Sequence, residues 1–296
     1  MLSNVATRIH NIAQSRSSAR VVGMVRIGLG VSALVRSFEA FRILSPLTRP
    51  EIARIPWFAW FPEPTTALVL AIVGIWAVAA LGFSLGFLTR PSGAVLSAAM
   101  AASIAVDQQA YSNHLYLLTV LVGLFVLTNP GSALSVDARR RGHSPETVVG
   151  WPVFLMKLQI SVVYVFAAIT KLNEPFLSGV VLFRQVGSGI LPIPESILVP
   201  SILAPMAIGA VITELALATL LWRSRGRDFA VLLGLALHGS IILLLAPILQ
   251  LIVFAGIMLS AYGLFFAEPA PVAAAGSATD SDVAPPPAQD AFPAAA

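Results

Sequence analysis

Long apolar runs recur along this chain, and short polar or proline-containing segments separate them. A helix needs about 20 apolar residues to cross a bilayer. Eight runs approach that length, at 21–38, 65–86, 91–106, 114–128, 151–171, 199–222, 228–246 and 248–266. They are too long for barrel strands and lack alternation of apolar and polar residues. Because some runs are short or closely joined, we predict an all-α polytopic transmembrane helix bundle with seven to nine spans.

The overall composition excludes several other classes of protein. Of 296 residues, 57% are hydrophobic and 11% are charged, whereas soluble domains carry about 25% charged residues. The net charge of +4 comes from arginines clustered between apolar runs, which favours contact with membrane lipid over nucleic-acid binding. The chain has no cysteine and four scattered histidines. Thiolate chemistry is therefore excluded, and no metal site is predicted.

The chain divides into three parts by composition. Residues 1–20 carry three arginines and precede the first apolar run without a small-residue cleavage site, so we interpret them as an uncleaved cytoplasmic basic leader. Residues 21–266 form the transmembrane domain. Residues 267–296 are rich in alanine and proline, and such a composition predicts a disordered tail.

The distribution of basic residues predicts the orientation. With the N-terminus in the cytoplasm, inner loops hold ten arginines and outer loops hold five basic residues, as the positive-inside rule requires. We therefore expect an integral protein of the plasma membrane. This orientation places the polar segment from Asp107 to His114 and the residue Lys171 on the same outer side.

A polar stripe runs along the fifth span. Lys157, Tyr164 and Lys171 are seven residues apart, so they share one helix face, which should point to the bundle interior or a cavity. Held away from water, Lys171 would favour its neutral form and act as a base. The alternative is a lysine that reaches the lipid headgroups. For Tyr164 the alternatives are a cavity wall and a hydroxyl bonded to a neighbouring helix.

Further polar residues open the fourth span. His114 is suited to proton transfer near neutral pH, and Asn113 can donate a hydrogen bond to an oxyanion. The alternative is a helix N-cap at Ser112 or Asn113 with His114 beside it. Asp107 adds a carboxylate to the same segment, and we take it as a candidate ligand-binding residue.

Other spans also contain ionisable residues. Glu214 and His238 fall at similar depth in adjacent antiparallel runs, so we predict that they form a buried polar pair, either structural or on a proton path. Arg36 lies near the outer end of the first span. It could contact an anionic or quinol-type ligand, or it could pair with Glu39.

Some of these segments resemble a known family. Asn113–Leu117 resembles the Asn-His-Ser-Tyr-Leu motif in the membrane domain of vitamin K-dependent gamma-glutamyl carboxylase. Ser135–Asp137, with Arg139–Arg141 after it, resembles that family's Ser-Val-Asp-Gly stretch and arginine run. Gln159–Tyr164, leading to Lys171, is similar to its Gln-Ile-x-x-x-Tyr segment before a lysine pair. The chain is thereby identified as a member of the related HTTM (horizontally transferred transmembrane) group.

This resemblance implies a quinol-dependent enzyme, a lyase or oxidoreductase that uses reduced vitamin K or another quinol and no metal. Lys171 would match the base that deprotonates the hydroquinone, and His114 would support its site. Oxygen then yields a strong base that removes a glutamate gamma proton before carbon dioxide adds. Thr170 replaces the first lysine of the family's pair. The large lumenal domain is absent from this sequence, so a protein or peptide substrate would be supplied in trans.

Two alternatives stay open. The chain could be a non-catalytic HTTM scaffold or carrier, or a proton-coupled transporter that uses Glu214 and His238. Catalysis requires Lys171 and His114 to line one cavity, whereas a scaffold does not.

Overall fold

Every predicted apolar run contains a helix in the computed structural model, which describes residues 7, 10–186, 190–191, 193–245 and 248–268. In chain order the helices are α1 (Ala19–Leu44), α2 (Thr66–Leu85), α3 (Thr89–Val106), α4 (Asn113–Val126), α5 (Val136–Arg141), α6 (Trp151–Thr170), α7 (Glu174–Leu177), α8 (Val180–Gln185), α9 (Pro200–Leu220), α10 (Arg227–Leu244) and α11 (Ile248–Tyr262). Short 3-10 turns lie at Ser45–Thr48, Gln108–Ala110, Glu195–Ile197 and Gly263–Phe266.

Turn-forming residues set the ends of these helices. The side chain of Thr65 accepts a hydrogen bond from the Leu68 amide at the start of α2, and Gly86 ends that helix with φ of 70°. A left-handed backbone at this position suits glycine. Pro200 occupies the first turn of α9, where its missing amide hydrogen breaks no helical bond.

The helical bundle is an integral membrane protein. Six helices within the described residues are long and apolar enough to cross a bilayer: α1 with its 3-10 extension, α2, α6, α9, α10, and α11 with its own extension. The other two predicted spans correspond to α3 and α4. Helix α4 has 14 residues and is about 21 Å long at the helical rise, which is shorter than the hydrocarbon core of about 30 Å. The all-α architecture is thus confirmed, but the count of seven to nine spans is not.

The long helices pack as a ring. Helix α1 packs on α2, α2 on α3 and α3 on α4. Helix α1 also packs on α11, and the series continues through α10 and α9 to α6, which meets α4. The buried core includes Leu29, Phe83 and Met100. Within it the indole nitrogen of Trp76 donates to the Ala33 carbonyl at 2.9 Å.

A small sheet and one backbone hydrogen bond join the N-terminal segment to two later parts of the chain. Strand β1 (Arg16–Ser18) pairs antiparallel with β2 (Thr147–Val149). The Ser18 amide donates to the Ala267 carbonyl at 2.7 Å. The last residues of the predicted leader therefore pack on the bundle. Its first residues, and the predicted tail beyond Glu268, lie outside the described residues.

Candidate functional site

A cavity of about 680 Å³ lies inside the ring, between α4, α6, α9, α10 and α11. Most of its wall is apolar, and six polar candidates from the sequence line it: Asn113, His114, Tyr164, Lys171, Glu214 and His238. Tyr116 and Phe166 also line it and are half exposed on the outside of the bundle. The cavity therefore opens sideways between α4 and α6.

Lys171 and Glu214 form an ion pair in the cavity wall. Lys171 follows the last residue of α6, and its Nζ lies 2.7 Å from Oε1 of Glu214 on α9. The Glu214 side chain is 8% exposed and that of Lys171 is 27% exposed. Oε2 of Glu214 is buried and has no hydrogen-bond partner among the residues that the structure describes. One carboxylate oxygen thus remains able to accept a hydrogen bond from a ligand.

The predicted pairing of Glu214 with His238 is wrong. His238 Nε2 lies 3.0 Å from the Tyr164 hydroxyl, which also contacts the hydroxyl of Tyr262. An ammonium within reach holds a carboxylate more strongly than a neutral imidazole does, so Glu214 pairs with Lys171. His238 instead joins a buried cluster that connects α6, α10 and α11.

Tyr262 is a member of this cluster that sequence reasoning missed. It ends α11, and Gly234 on α10 leaves room for its ring. A Cβ atom at Gly234 would lie 2.6 Å from Cε2 of Tyr262. Gly234 precedes His238 by four residues and so shares its helix face. That spacing was a usable signal for close approach of another helix.

The start of α4 presents His114 and Asn113 to the cavity. The Ser112 hydroxyl accepts a hydrogen bond from the Leu115 amide and caps the helix. The imidazole of His114 stacks on Phe254 with ring centroids 4.1 Å apart. The Tyr111 hydroxyl donates to Oδ1 of Asn113 at 2.9 Å, which leaves the amide N–H groups of Asn113 available as donors.

Asp107 and Arg36 do not line this cavity, so the structure does not bring them together with the other site candidates. Asp107 is fully buried, and its oxygens accept hydrogen bonds from the amides of Ile55 at 2.7 Å and Gln109 at 2.9 Å. Both residues are held by nearby structural partners that a ligand would have to displace.

Arg36 adopts the alternative that the sequence left open. Its Nη1 lies 2.6 Å from Oε2 of Glu39, and its Nη2 donates to the Ser112 hydroxyl at 3.3 Å. Arg36 therefore fixes the cap of α4, and with it the position of His114.

The predicted stripe on α6 divides between two environments. Tyr164 and Lys171 line the cavity, but Lys157 is buried at the other end of the helix. Its ammonium lies 5.7 Å from the ring centre of Phe265 and 3.6 Å from Glu268.

The Ser135–Asp137 motif lies at that other end of the bundle and has a structural role. Asp137 accepts hydrogen bonds from the amides of Leu88 and Thr89 and from the Thr89 hydroxyl, at 2.6 to 3.0 Å. Burial alone would raise the pKa of Asp137, but these bonds and nearby Arg141 lower it overall. The motif therefore joins α5 to the turn between α2 and α3.

Fold and site together define a class: an integral helical membrane protein with a titratable, apolar-walled cavity inside its bundle. Within the described residues no group of His, Asp and Glu side chains could hold a metal ion. The family model of the HTTM domain matches residues 15–269, so the chain belongs to the HTTM domain family. Neither the curated proteins nor the solved structures contain a match to the chain.

Proposed function

We propose that the cavity binds a quinol, such as a vitamin K-like hydroquinone, and that Lys171 removes a proton from its hydroxyl group. The observation that carries this proposal is the Lys171–Glu214 ion pair in the wall of the same apolar cavity as His114. Ionisable side chains inside a membrane domain are costly and usually functional. A scaffold has no need for this convergence.

The cavity suits an amphipathic ring compound. Its volume of about 680 Å³ falls within the roughly 300–1,000 Å³ of ligand and cofactor sites. The apolar wall would contact the ring, while the polar groups would bind its hydroxyls. An opening between α4 and α6 would let a quinol with an apolar tail enter the cavity from the lipid.

Proton transfer would use both members of the ion pair. The Lys171 nitrogen can pass one of its protons to Glu214, which lies 2.7 Å away. The same nitrogen can then take the proton of a ligand hydroxyl placed beside it. The pair then carries one more positive charge, which stabilises the anion left on the ligand. The amide N–H groups of Asn113 have no hydrogen-bond partner among the described residues, and Asn113 with His114 would hold that oxyanion.

The remaining steps follow from the family resemblance. Oxygen would convert the deprotonated quinol to a strong base, which would remove a γ proton from a glutamate of a protein or peptide supplied in trans, and carbon dioxide would then add to the resulting carbanion. With the N-terminus in the cytoplasm of a plasma-membrane protein, the site would lie on the outer side.

The test measures consumption of vitamin K hydroquinone under oxygen by the full chain in lipid nanodiscs. We expect Lys171→Met to lower the rate by about 100-fold or more, the size of a lost general base. Lys171→Arg keeps the ion pair with Glu214 but cannot accept a proton at neutral pH. It should therefore be as slow as Lys171→Met while remaining folded.

Lys157→Met is the matched control, because Lys157 is the chain's other lysine and lies outside the cavity. It should consume hydroquinone at the wild-type rate. Equal rates for wild type and Lys171→Arg would contradict the proposal that Lys171 is the base, and a wild type that consumes no hydroquinone would favour the scaffold or carrier alternative.

A further inference from the structure

A second surface, outside the cavity, is the loop between the 3-10 turn Ser45–Thr48 and α2. We call residues 49–64 the aromatic loop. All ten residues from 51 to 60 are exposed, and they include Ile55, Trp57, Phe58 and Trp60, the last with 76% of its surface exposed. So many neighbouring large apolar side chains in water are characteristic of an interaction surface.

The backbone of the aromatic loop restricts what can cover it. The loop forms neither helix nor strand, so its peptide groups need polar partners and cannot enter the hydrocarbon core. The headgroup layer of a phospholipid bilayer offers such partners together with apolar contacts. Tryptophan and other aromatic side chains favour this layer.

The flanking helices place the loop at that layer. Helix α1 has 26 residues, about 39 Å at the helical rise, which is enough to cross the core of about 30 Å. The chain re-enters a membrane-spanning helix at Thr66. Arg42 beside the loop and Arg49 at its start are exposed, and their positive charges complement lipid phosphates.

The loop is fastened to the segment that begins the cavity wall. The amide of Ile55 donates to Oδ2 of Asp107 at 2.7 Å, and its carbonyl accepts from the Gln108 amide at 2.9 Å. The Gln109 side chain donates to the Ala53 carbonyl at 2.9 Å. Four residues after Asp107, Tyr111 lines the cavity and contacts the Trp57 ring.

We infer that the aromatic loop inserts Trp57, Phe58 and Trp60 into the phospholipid headgroup layer. Through Asp107 the loop then holds Tyr111 to His114, the polar edge of the cavity, at that level. This assignment gives Asp107 a positioning role and does not depend on the chemistry of the cavity.

Tryptophan fluorescence of the full chain in nanodiscs tests the insertion. The difference between wild type and the Trp57→Phe/Trp60→Phe variant isolates the emission of the loop, and Trp76→Phe, a fully buried indole, serves as the control. We expect lipids brominated near the headgroup to quench the difference signal by at least half, and aqueous iodide to quench it at least two-fold less. Strong iodide quenching without bromine quenching would overturn the inference and leave water or a protein as the covering partner.

Asp107→Asn tests the fastening, because an amide cannot accept hydrogen bonds from both backbone N–H groups as a carboxylate does. We expect iodide quenching of Trp57 and Trp60 to rise at least two-fold, and Glu51→Gln on the same loop to leave it unchanged. If Asp107→Asn does not fold, Gln109→Ala removes one tether alone and should raise quenching in the same direction. Unchanged quenching in the folded variant would show that Asp107 does not hold the loop.

Discussion

Replacing Lys171 by methionine should destabilise the protein through the carboxylate that it leaves behind. The variant keeps the length of the side chain but removes the charge that lies 2.7 Å from Oε1 of Glu214. Lys171 binds Oε1, and Oε2 of Glu214 has no hydrogen-bond partner among the described residues. Without Lys171 the carboxylate would therefore be buried and uncompensated.

The size of this loss follows from the burial of the two groups. Removing one partner of a buried ion pair costs about 3–5 kcal/mol. The Lys171 side chain is 27% exposed, so water screens part of the interaction and we expect about 3 kcal/mol. The loss cannot exceed about 4 kcal/mol, because the unpaired Glu214 can instead take up a proton. At pH 7 this costs a glutamate with the reference pKa in water about 3.7 kcal/mol.

A double-mutant cycle in mixed micelles measures the coupling. Glu214→Gln removes the charge, so in the double variant the methionine no longer leaves a buried carboxylate. The sum of the losses in unfolding free energy of the two single variants should exceed the loss of the double variant by about 2 kcal/mol. Single losses that add to the double loss within about 0.5 kcal/mol would refute the reasoning.

Two further variants test other parts of the structure. Gly234→Ala should cost about 1–3 kcal/mol of unfolding free energy because its Cβ meets the Tyr262 ring. Gly239→Ala on the same helix has nothing within 4 Å of its added Cβ and should be neutral or stabilising. Equal effects of the two variants would contradict the close approach of Tyr262 to Gly234. Asp137→Asn should cost about 1.5–3 kcal/mol at pH 7. Because the pKa of Asp137 is lowered in the folded state, its stabilisation is present above about pH 4, the pKa in the unfolded chain. The stabilisation is lost as pH falls through the folded-state pKa. A difference in unfolding free energy between Asp137→Asn and wild type that persists unchanged at lower pH would contradict this prediction.

Much of the helical architecture was readable from the sequence. Most of the long helices begin and end close to the predicted runs, because burying a polar loop in hydrocarbon is costly. Helix α1 is the exception, since it continues from the predicted end at residue 38 to Leu44. The convergence of His114 and Lys171 on one cavity also agrees with the shared side that arginine counts predicted. Both inferences depend on the chain order of polar and apolar segments.

The partners of individual side chains were harder to predict. The positions of Glu214 and His238 along their helices put them at similar depth in the membrane. Whether they pair depends on how each helix is rotated about its axis, which the sequence of one helix does not fix. The structural partners of Asp107 were unpredictable for another reason. Its carboxylate binds the Ile55 amide, and a contact with an irregular loop leaves no periodic signal.

A structure determined in nanodiscs with vitamin K hydroquinone is the most direct test of the proposed site. We expect the ring in the cavity between α4 and α6, with one hydroxyl within about 3.2 Å of Lys171 Nζ or Glu214 Oε2. A hydroquinone bound elsewhere, or a cavity filled only by lipid chains at saturating hydroquinone, would contradict it.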